Sequence, residues 1–161
     1  MPAAPDCTLR PPSELDFYDR HTVSVPADLT PLEAWALMTA SSGWLMRLAF
    51  QVRDAISSRF GVKRIGGFSG RQIENVQAGD RLDFFLVEHV APNRLILTER
   101  DRHLDVMICV SKEDNLLSLT ASVITHNIFG RFYMLPVGPA HRLIVHTYLR
   151  RLKRKLAERA A

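Results

Sequence analysis

Cysteine is scarce in this sequence, and a long apolar run is absent. Two of the 161 residues are cysteines, Cys7 and Cys109, which is too few for a disulfide framework or a zinc cluster and is typical of a reducing compartment. No apolar stretch approaches the roughly 20 residues that span a bilayer. Residues 1–12 lack the apolar segment behind a positive start that marks a secretory signal. We therefore expect a cytoplasmic protein that does not cross a membrane.

Strong compositional bias is also absent. Hydrophobic residues make up 47% and charged residues 24% of the chain, which is ordinary for a folded domain and excludes extensive disorder. A chain of 161 residues is long enough to bury one core and short for two. Because residues 1–16 contain four prolines and little apolar periodicity, we predict a flexible tail at 1–16 and a single domain at 17–161.

Basic residues are concentrated at one end of the chain. From Arg142 to Arg159 there are seven Lys or Arg residues and one acid, a charge of +6, and since the whole chain carries +4 the remainder carries −2. A protein that coats nucleic acid would spread its cations more widely. We expect a solvated basic end of the last helix, with weak contact to an anionic surface as the alternative. The residues concerned are Arg150, Arg151, Lys153, Arg154 and Lys155.

The first part of the chain predicts one strand and two helices. Residues 17–25 alternate in the manner of a strand. Thr30 is followed three residues later by Glu33, which is the pattern of a capping box and predicts a short helix over 30–41. A longer helix is predicted over 44–60, because apolar residues recur there at spacings of three and four.

The remaining chain predicts an antiparallel meander and a terminal helix. Four extended segments are separated by short polar turns, which is typical of hairpins; they are 82–89, 94–99, 103–110 and 115–126. Pro139 suits the first turn of a helix that runs to about Glu158. This order predicts an α+β fold, with helices on one side of an antiparallel sheet.

Several blocks of sequence resemble a known family. They are Trp44 to Leu48 with Arg53-Asp54, Phe60-Gly61-Val62, Asp101 to Asp105, Thr125-His126-Asn127, Gly130 to Tyr133 and Pro139 to Arg142. On these blocks the chain resembles the domain of unknown function family DUF2867 and, more broadly, the START-like, polyketide-cyclase-like (SRPBCC) superfamily. Ala140 stands where the family usually has a bulky residue. The resemblance implies a helix-grip fold, in which a curved sheet wraps around a long C-terminal helix, and it brings no established activity.

The segment over 103–110 has one polar and one apolar side. Asp101, His103 and Asp105 alternate along it, so their side chains share a side on which carboxylates could make the imidazole a base. Because the opposite side is apolar, we favour an outward position for these residues over an inward polar site. No second histidine lies at a diagnostic spacing, so neither a metal site nor a cofactor is predicted.

One histidine of the last helix is of interest. His141 lies in the first turns of the predicted helix, where a positive charge opposes the helix dipole, so we expect it to be neutral or paired with a carboxylate. We favour a structural role in which His141 joins the helix to the sheet through a hydrogen bond, and a pocket residue beside Asn127 or Tyr133 is the alternative. Since the chain has no nucleophile motif, His141, His103 and Asp105 are weak catalytic candidates.

The sequence favours a non-enzymatic binding module. We expect a small apolar or amphipathic ligand in a cavity between the sheet and the C-terminal helix. The predicted cavity residues are Leu104, Val106, Ile108, Leu119, Val123, Asn127 and Tyr133. The alternatives are a small cyclase-, isomerase- or hydrolase-like enzyme of the same fold, and a homodimeric interaction protein without a ligand. No specific nucleic-acid partner is expected.

Overall fold

A curved antiparallel sheet is the centre of the structure. The computed structural model describes residues 7–40, 43–59, 61 and 75–161. In these ranges six strands form one sheet, in the order β1-β6-β5-β4-β3-β2, and every neighbouring pair is antiparallel. The strands are β1 Phe17–Ser24, β2 Arg81–Leu82, β3 Phe85–Ala91, β4 Arg94–Arg100, β5 Leu104–Glu113 and β6 Leu116–Thr125. The predicted meander is confirmed, and the first strand returns to pair with the last.

Three α-helices accompany the sheet in the described ranges: α1 Pro31–Thr39, α2 Trp44–Ser58 and α3 Ile128–Ala160. The predicted capping box is confirmed, because the Thr30 hydroxyl accepts a hydrogen bond from the Glu33 backbone N–H and the Glu33 carboxylate accepts one from the Thr30 N–H. The predicted helix ends at Ser41 and Phe60 lie outside the described residues. These helices and the antiparallel sheet confirm the α+β fold.

The terminal helix begins eleven residues before the predicted start, at Ile128 rather than Pro139. The Asn127 side chain caps it by accepting a hydrogen bond of 2.9 Å from the backbone N–H of Gly130. Pro136 and Pro139 lie inside the helix. Since proline lacks the N–H that an internal helical residue donates, the sequence pattern placed the boundary at Pro139, and the cap identifies the true start.

One face of the sheet, here called the inner face, carries the main core. Side chains from α1, α3 and the strands are buried together there, and each fully buried Val, Leu, Ile, Met or Phe contributes about 1.5–3 kcal/mol. The helices contribute Ala34, Trp35 and Met38 from α1 and Val145, Tyr148, Leu149 and Leu152 from α3. The apolar side predicted for the segment over 103–110 faces this core, and in the register Val106 opposes Val123, Ile108 opposes Ala121 and Val110 opposes Leu119.

The opposite face, here called the outer face, is partly covered by residues 7–10. Cys7 forms a disulfide with Cys109 across a Cα–Cα distance of 5.2 Å, and the Leu9 N–H donates to the Ser122 hydroxyl at 3.1 Å. A second apolar cluster, made by Ile96, Met107 and Cys109 with Cys7 and Leu9, lies under this segment. Residues 7–10 of the predicted tail are therefore attached to the sheet.

The disulfide pairs the two cysteines of the sequence and lies on the outer face. Residues alternate across a strand, so Cys109 points to the outer face while Ile108 and Val110 belong to the inner-face core. Stable disulfides are typical of oxidising compartments, and the cysteines therefore no longer support a cytoplasmic location. In the part of the chain that the structure describes, no helix is both long and apolar enough to span a bilayer.

Candidate functional site

The predicted cavity residues divide between the core and the start of α3. Ile108 and Leu119 belong to the inner-face core, and Val106 packs against it. Val123 is buried, whereas Leu104 is half-buried. The two described depressions, of about 420 and 530 Å³, have linings that include none of these residues. A cavity between the sheet and α3 stays a prediction.

The two polar residues predicted for the cavity make specific bonds at the start of α3. Asn127 caps the helix through Gly130. The Tyr133 hydroxyl accepts a hydrogen bond of 2.6 Å from Arg53 Nε, and Arg53 Nη1 donates at 2.7 Å to the Asp54 carboxylate. Because Arg53 and Asp54 lie in α2, this polar chain attaches α2 to α3.

His103 lies at a structural junction rather than on a solvent-facing strand side. β5 begins at Leu104, and the Asp101 carboxylate accepts hydrogen bonds from the backbone N–H groups of His103 and Leu104 at 2.6 and 2.9 Å. The imidazole is 8% exposed, packs 4.7 Å from the Phe129 ring and has Nδ1 2.9 Å from Asn127 Nδ2. The favoured outward position is thus wrong for His103, because the chain bends there and the ring packs on α3.

Asp105 does lie on the outer face, as predicted, but apart from His103. Its carboxylate is 3.1 Å from His126 Nε2, and its strand partner is Ile124. The Asp101 carboxylate is engaged in the turn before β5. The three alternating residues therefore do not form one acid–base group.

A cluster of Asp19, His21, His141 and His146, here called the β1–α3 cluster, lies where the edge strand meets the terminal helix. Asp19 Oδ2 is 2.9 Å from His21 Nε2 and 3.8 Å from His141 Nε2. The rings of His21 and His146 are 4.9 Å apart. The alternation of β1 places Asp19 and His21 on the same side, and α3 supplies the other two residues.

The buried position of His141 in this cluster disfavours its charged form. Burial lowers the pKa of His141 below its ordinary value of 6.5, although the charge of Asp19 opposes the shift. In the described structure its Nε2 is buried without a hydrogen-bond partner, and the Phe17 ring packs edge-on against the imidazole at 5.5 Å. The ring thus packs between the helix and the sheet, but Nε2 does not make the hydrogen bond that was predicted to join them.

The outer face carries a groove of about 420 Å³ beside the N-terminal segment, here called the outer groove. Its residues come from β3, β4, β5, β6 and the segment that the disulfide attaches. They are Thr8, Leu9, Arg10, Glu88, His89, Ile96, Arg100, Asp105, Met107 and Ile124. A β-bulge between Val87 and His89 shifts the register of β3 at this point, and bulges commonly redirect side chains beside binding sites.

The groove combines apolar and polar groups. Ile96, Met107 and Ile124 come from three adjacent strands and provide its apolar part. Glu88 accepts hydrogen bonds from the Thr98 hydroxyl at 2.8 Å and from Arg100 at 3.1 Å. Because Asp105 is likewise paired with His126, both groove carboxylates have a basic neighbour. The rim therefore offers hydrogen-bonding groups without a large excess of either charge.

Sequence reasoning missed this groove because it treated the outer side of the sheet as polar. Ser118, Thr120 and Ser122 support that view, but Met107 and Ile124 have the same outward parity and are apolar. These two apolar residues at outward positions were the available signal. The covering segment left no such signal, since Cys7 and Cys109 are 102 residues apart in sequence.

The architecture defines an α+β protein with an open antiparallel sheet and a long C-terminal helix. Within that class, the chain belongs to DUF2867, a family described as protein of unknown function, whose profile matches residues 12–148. No curated protein and no solved structure matches the chain. Among the described residues, no group of three or more His, Cys, Asp or Glu side chains is arranged to hold a metal ion.

Proposed function

We propose that the protein is a non-enzymatic binding module that holds a small amphipathic molecule in the outer groove. The observation that carries this proposal is the groove's combination of apolar side chains from three adjacent strands with charged groups of both signs, two of which, Glu88 and Arg100, pair with each other. The proposal keeps the ligand class that the sequence favours and moves the site from the inner to the outer face of the sheet.

The size of the groove suits such a ligand, and its apolar side chains lie within a lining that is more polar than apolar. Small-molecule sites commonly have volumes of about 300–1,000 Å³ and combine an apolar lining with a few polar groups. The groove has about 420 Å³, and its floor at Ile96 and Met107 is part of the second apolar cluster. An apolar portion would cover Ile124, while a polar portion would reach Arg10 and His89 at the rim.

The proposal is tested by filling the groove with a larger side chain. We expect Ile124→Trp to weaken binding of the amphipathic dye 8-anilinonaphthalene-1-sulfonate at least tenfold, measured by fluorescence titration, because the indole occupies the dye's volume. Leu116→Trp is the matched control: it lies on the same strand and outer side, is 51% exposed and is absent from the groove. Its affinity should stay within twofold of the parent.

Two results would overturn the proposal. One is dye binding that Ile124→Trp leaves unchanged while near-ultraviolet circular dichroism shows a native fold. The other is no saturable dye binding to the parent protein. Near-ultraviolet circular dichroism is needed for every variant, because a loosened core also binds this dye.

A small hydrolase-like enzyme is the second candidate, and the β1–α3 cluster is the observation that favours it. A neutral imidazole 3.8 Å from a carboxylate has the composition of a general base and its orienting partner. Hydrolysis of p-nitrophenyl acetate by the parent and by His141→Gln tests this candidate. The binding module predicts equal rates for the two proteins, and a loss of turnover in a His141→Gln variant that folds normally would favour the enzyme.

A further inference from the structure

An apolar stripe lies on the solvent side of α3. Four large side chains of the helix are about two-thirds exposed: Ile128 at 70%, Phe132 at 66%, Leu135 at 67% and Leu143 at 69%. Their spacings of four, three and eight residues place them on one side of a helix. We call these four residues the α3 stripe.

The opposite side of the same helix is buried. Gly130, Gly138, Val145, Leu149 and Leu152 are buried in the structure. The stripe is thus not the side by which α3 packs on the sheet. Contiguous exposed apolar residues on a folded protein commonly mark a contact surface.

The charge of α3 indicates the chemistry of the partner. The helix contains eight Lys or Arg residues and a single acid, Glu158. Arg131 lies within the span of the stripe, and Arg150 and Lys153 continue along its exposed side, whereas Arg142 Nε lies 3.9 Å from the Asp19 carboxylate. An exposed helix side with apolar residues and many cations has the composition of helices that lie in the interface of an anionic bilayer.

A second copy of the chain fits this surface less well. Pairing two α3 stripes would bring Arg131 of both copies into the contact, and α3 has no acid before Glu158 to pair with it. Like charges in a contact are unfavourable. A nucleic acid would satisfy the cations but leave the apolar stripe without a role.

We propose that α3 docks on the surface of an anionic lipid bilayer. The stripe lies among the headgroups and upper acyl chains, and the cations contact the lipid phosphates. Fifteen residues separate Ile128 from Leu143, about 22 Å of helix at 1.5 Å per residue, so the stripe extends along the membrane plane. This docking does not depend on the outer groove, which lies on the other side of the sheet.

Co-sedimentation of the full chain with lipid vesicles tests the proposal. We expect binding to vesicles of equal parts phosphatidylglycerol and phosphatidylcholine, and at least tenfold weaker binding to phosphatidylcholine alone. Phe132→Ser with Leu135→Ser should weaken binding to the anionic vesicles at least tenfold. Leu116→Ser is the matched control, since it removes an exposed leucine outside α3, and it should change binding less than twofold.

The cations are tested separately. Each basic residue near an anionic membrane strengthens binding by about fivefold, so Arg150→Gln with Lys153→Gln should weaken it by about 25-fold. Added salt should reduce the effect of these two substitutions, since it screens the charges. In a Trp44→Phe background, Phe132→Trp should report insertion through a blue shift of its fluorescence on anionic vesicles.

Three outcomes would overturn the proposal. They are no binding of the parent to anionic vesicles, equal binding to neutral and anionic vesicles, and binding that the stripe variant retains. Sedimentation equilibrium completes the test. If the parent is a dimer that does not bind vesicles, and the folded stripe variant is a monomer, the stripe is the contact with a second copy of the chain.

Discussion

Adding a single methyl group at Gly130 is expected to disturb the contact between α3 and the sheet. A Cβ on this residue would overlap the carbonyl oxygen of His103 and lie 3.2 Å from its carbonyl carbon and 3.3 Å from Thr125 Cβ. The obstructing atoms of His103 belong to the backbone, so no rotamer change relieves the overlap. Gly130→Ala must therefore displace the start of α3 from the start of β5.

The expected loss of stability follows from two opposing terms. Overpacking in a tight site costs about 1–3 kcal/mol, and replacing glycine by alanine in a helix regains up to about 1 kcal/mol. We expect Gly130→Ala to lower the free energy of unfolding by about 2 kcal/mol, which for a domain of this size lowers the Tm by about 4–8 °C. Urea unfolding and calorimetry measure both quantities.

Gly138→Ala is the matched control on the same helix. Its Cβ would meet only the Phe17 ring, at 3.2 and 3.5 Å, and a ring can shift by a few tenths of an ångström. The helix-propensity gain then offsets the contact, so stability should stay within about 1 kcal/mol of the parent. Equal stability of the Gly130→Ala, Gly138→Ala and parent proteins would refute the placement of α3 against β5.

Two further predictions concern the β1–α3 cluster and the disulfide. Burial lowers the pKa of His141 below 6.5, so below about pH 6.5 the unfolded chain binds a proton that the folded chain does not. The free energy of unfolding therefore falls as the pH drops below about 6.5, by at most 1.4 kcal/mol per pH unit for one proton. In urea titrations, His141→Gln should flatten the dependence of the free energy of unfolding on pH, whereas His146→Gln should keep it. An unchanged pH dependence in His141→Gln would show that the imidazole is not buried neutral. Cys7→Ser removes a cross-link spanning 102 residues and should lower the free energy of unfolding by about 2–5 kcal/mol. Detection of two free thiols in the denatured, unreduced parent protein would contradict the disulfide.

Most of the architecture could be predicted from local sequence. The capping box at Thr30 and Glu33 depends on residues three apart, and strand alternation alone separated the apolar side of β5 from its polar side. The start of α3 could not be recognised as easily. Pro136 and Pro139 suggest a helix boundary, whereas Asn127, which actually caps the helix, is a residue that is equally common in turns.

The sites were less predictable, because they join segments that are distant in sequence. The alternation of Asp19 and His21 was visible in β1, but their approach to His141 depends on how α3 crosses the edge strand. His103 illustrates the opposite difficulty. Its neighbours predict an alternating strand that includes His103. In the structure Asp101 stabilises a turn at this point, so that β5 begins one residue after His103 and the imidazole is buried.

The most direct test of the proposed binding module is a nuclear magnetic resonance titration of the labelled protein with 8-anilinonaphthalene-1-sulfonate. The proposal predicts saturable shifts of the backbone amide signals of Leu9, Met107 and Ile124, which line the outer groove. The amide signals of Leu119 and Leu149, in the inner-face core, should remain in place. Saturable shifts confined to Leu119 and Leu149 would contradict the outer groove and return the ligand to the space between the sheet and α3.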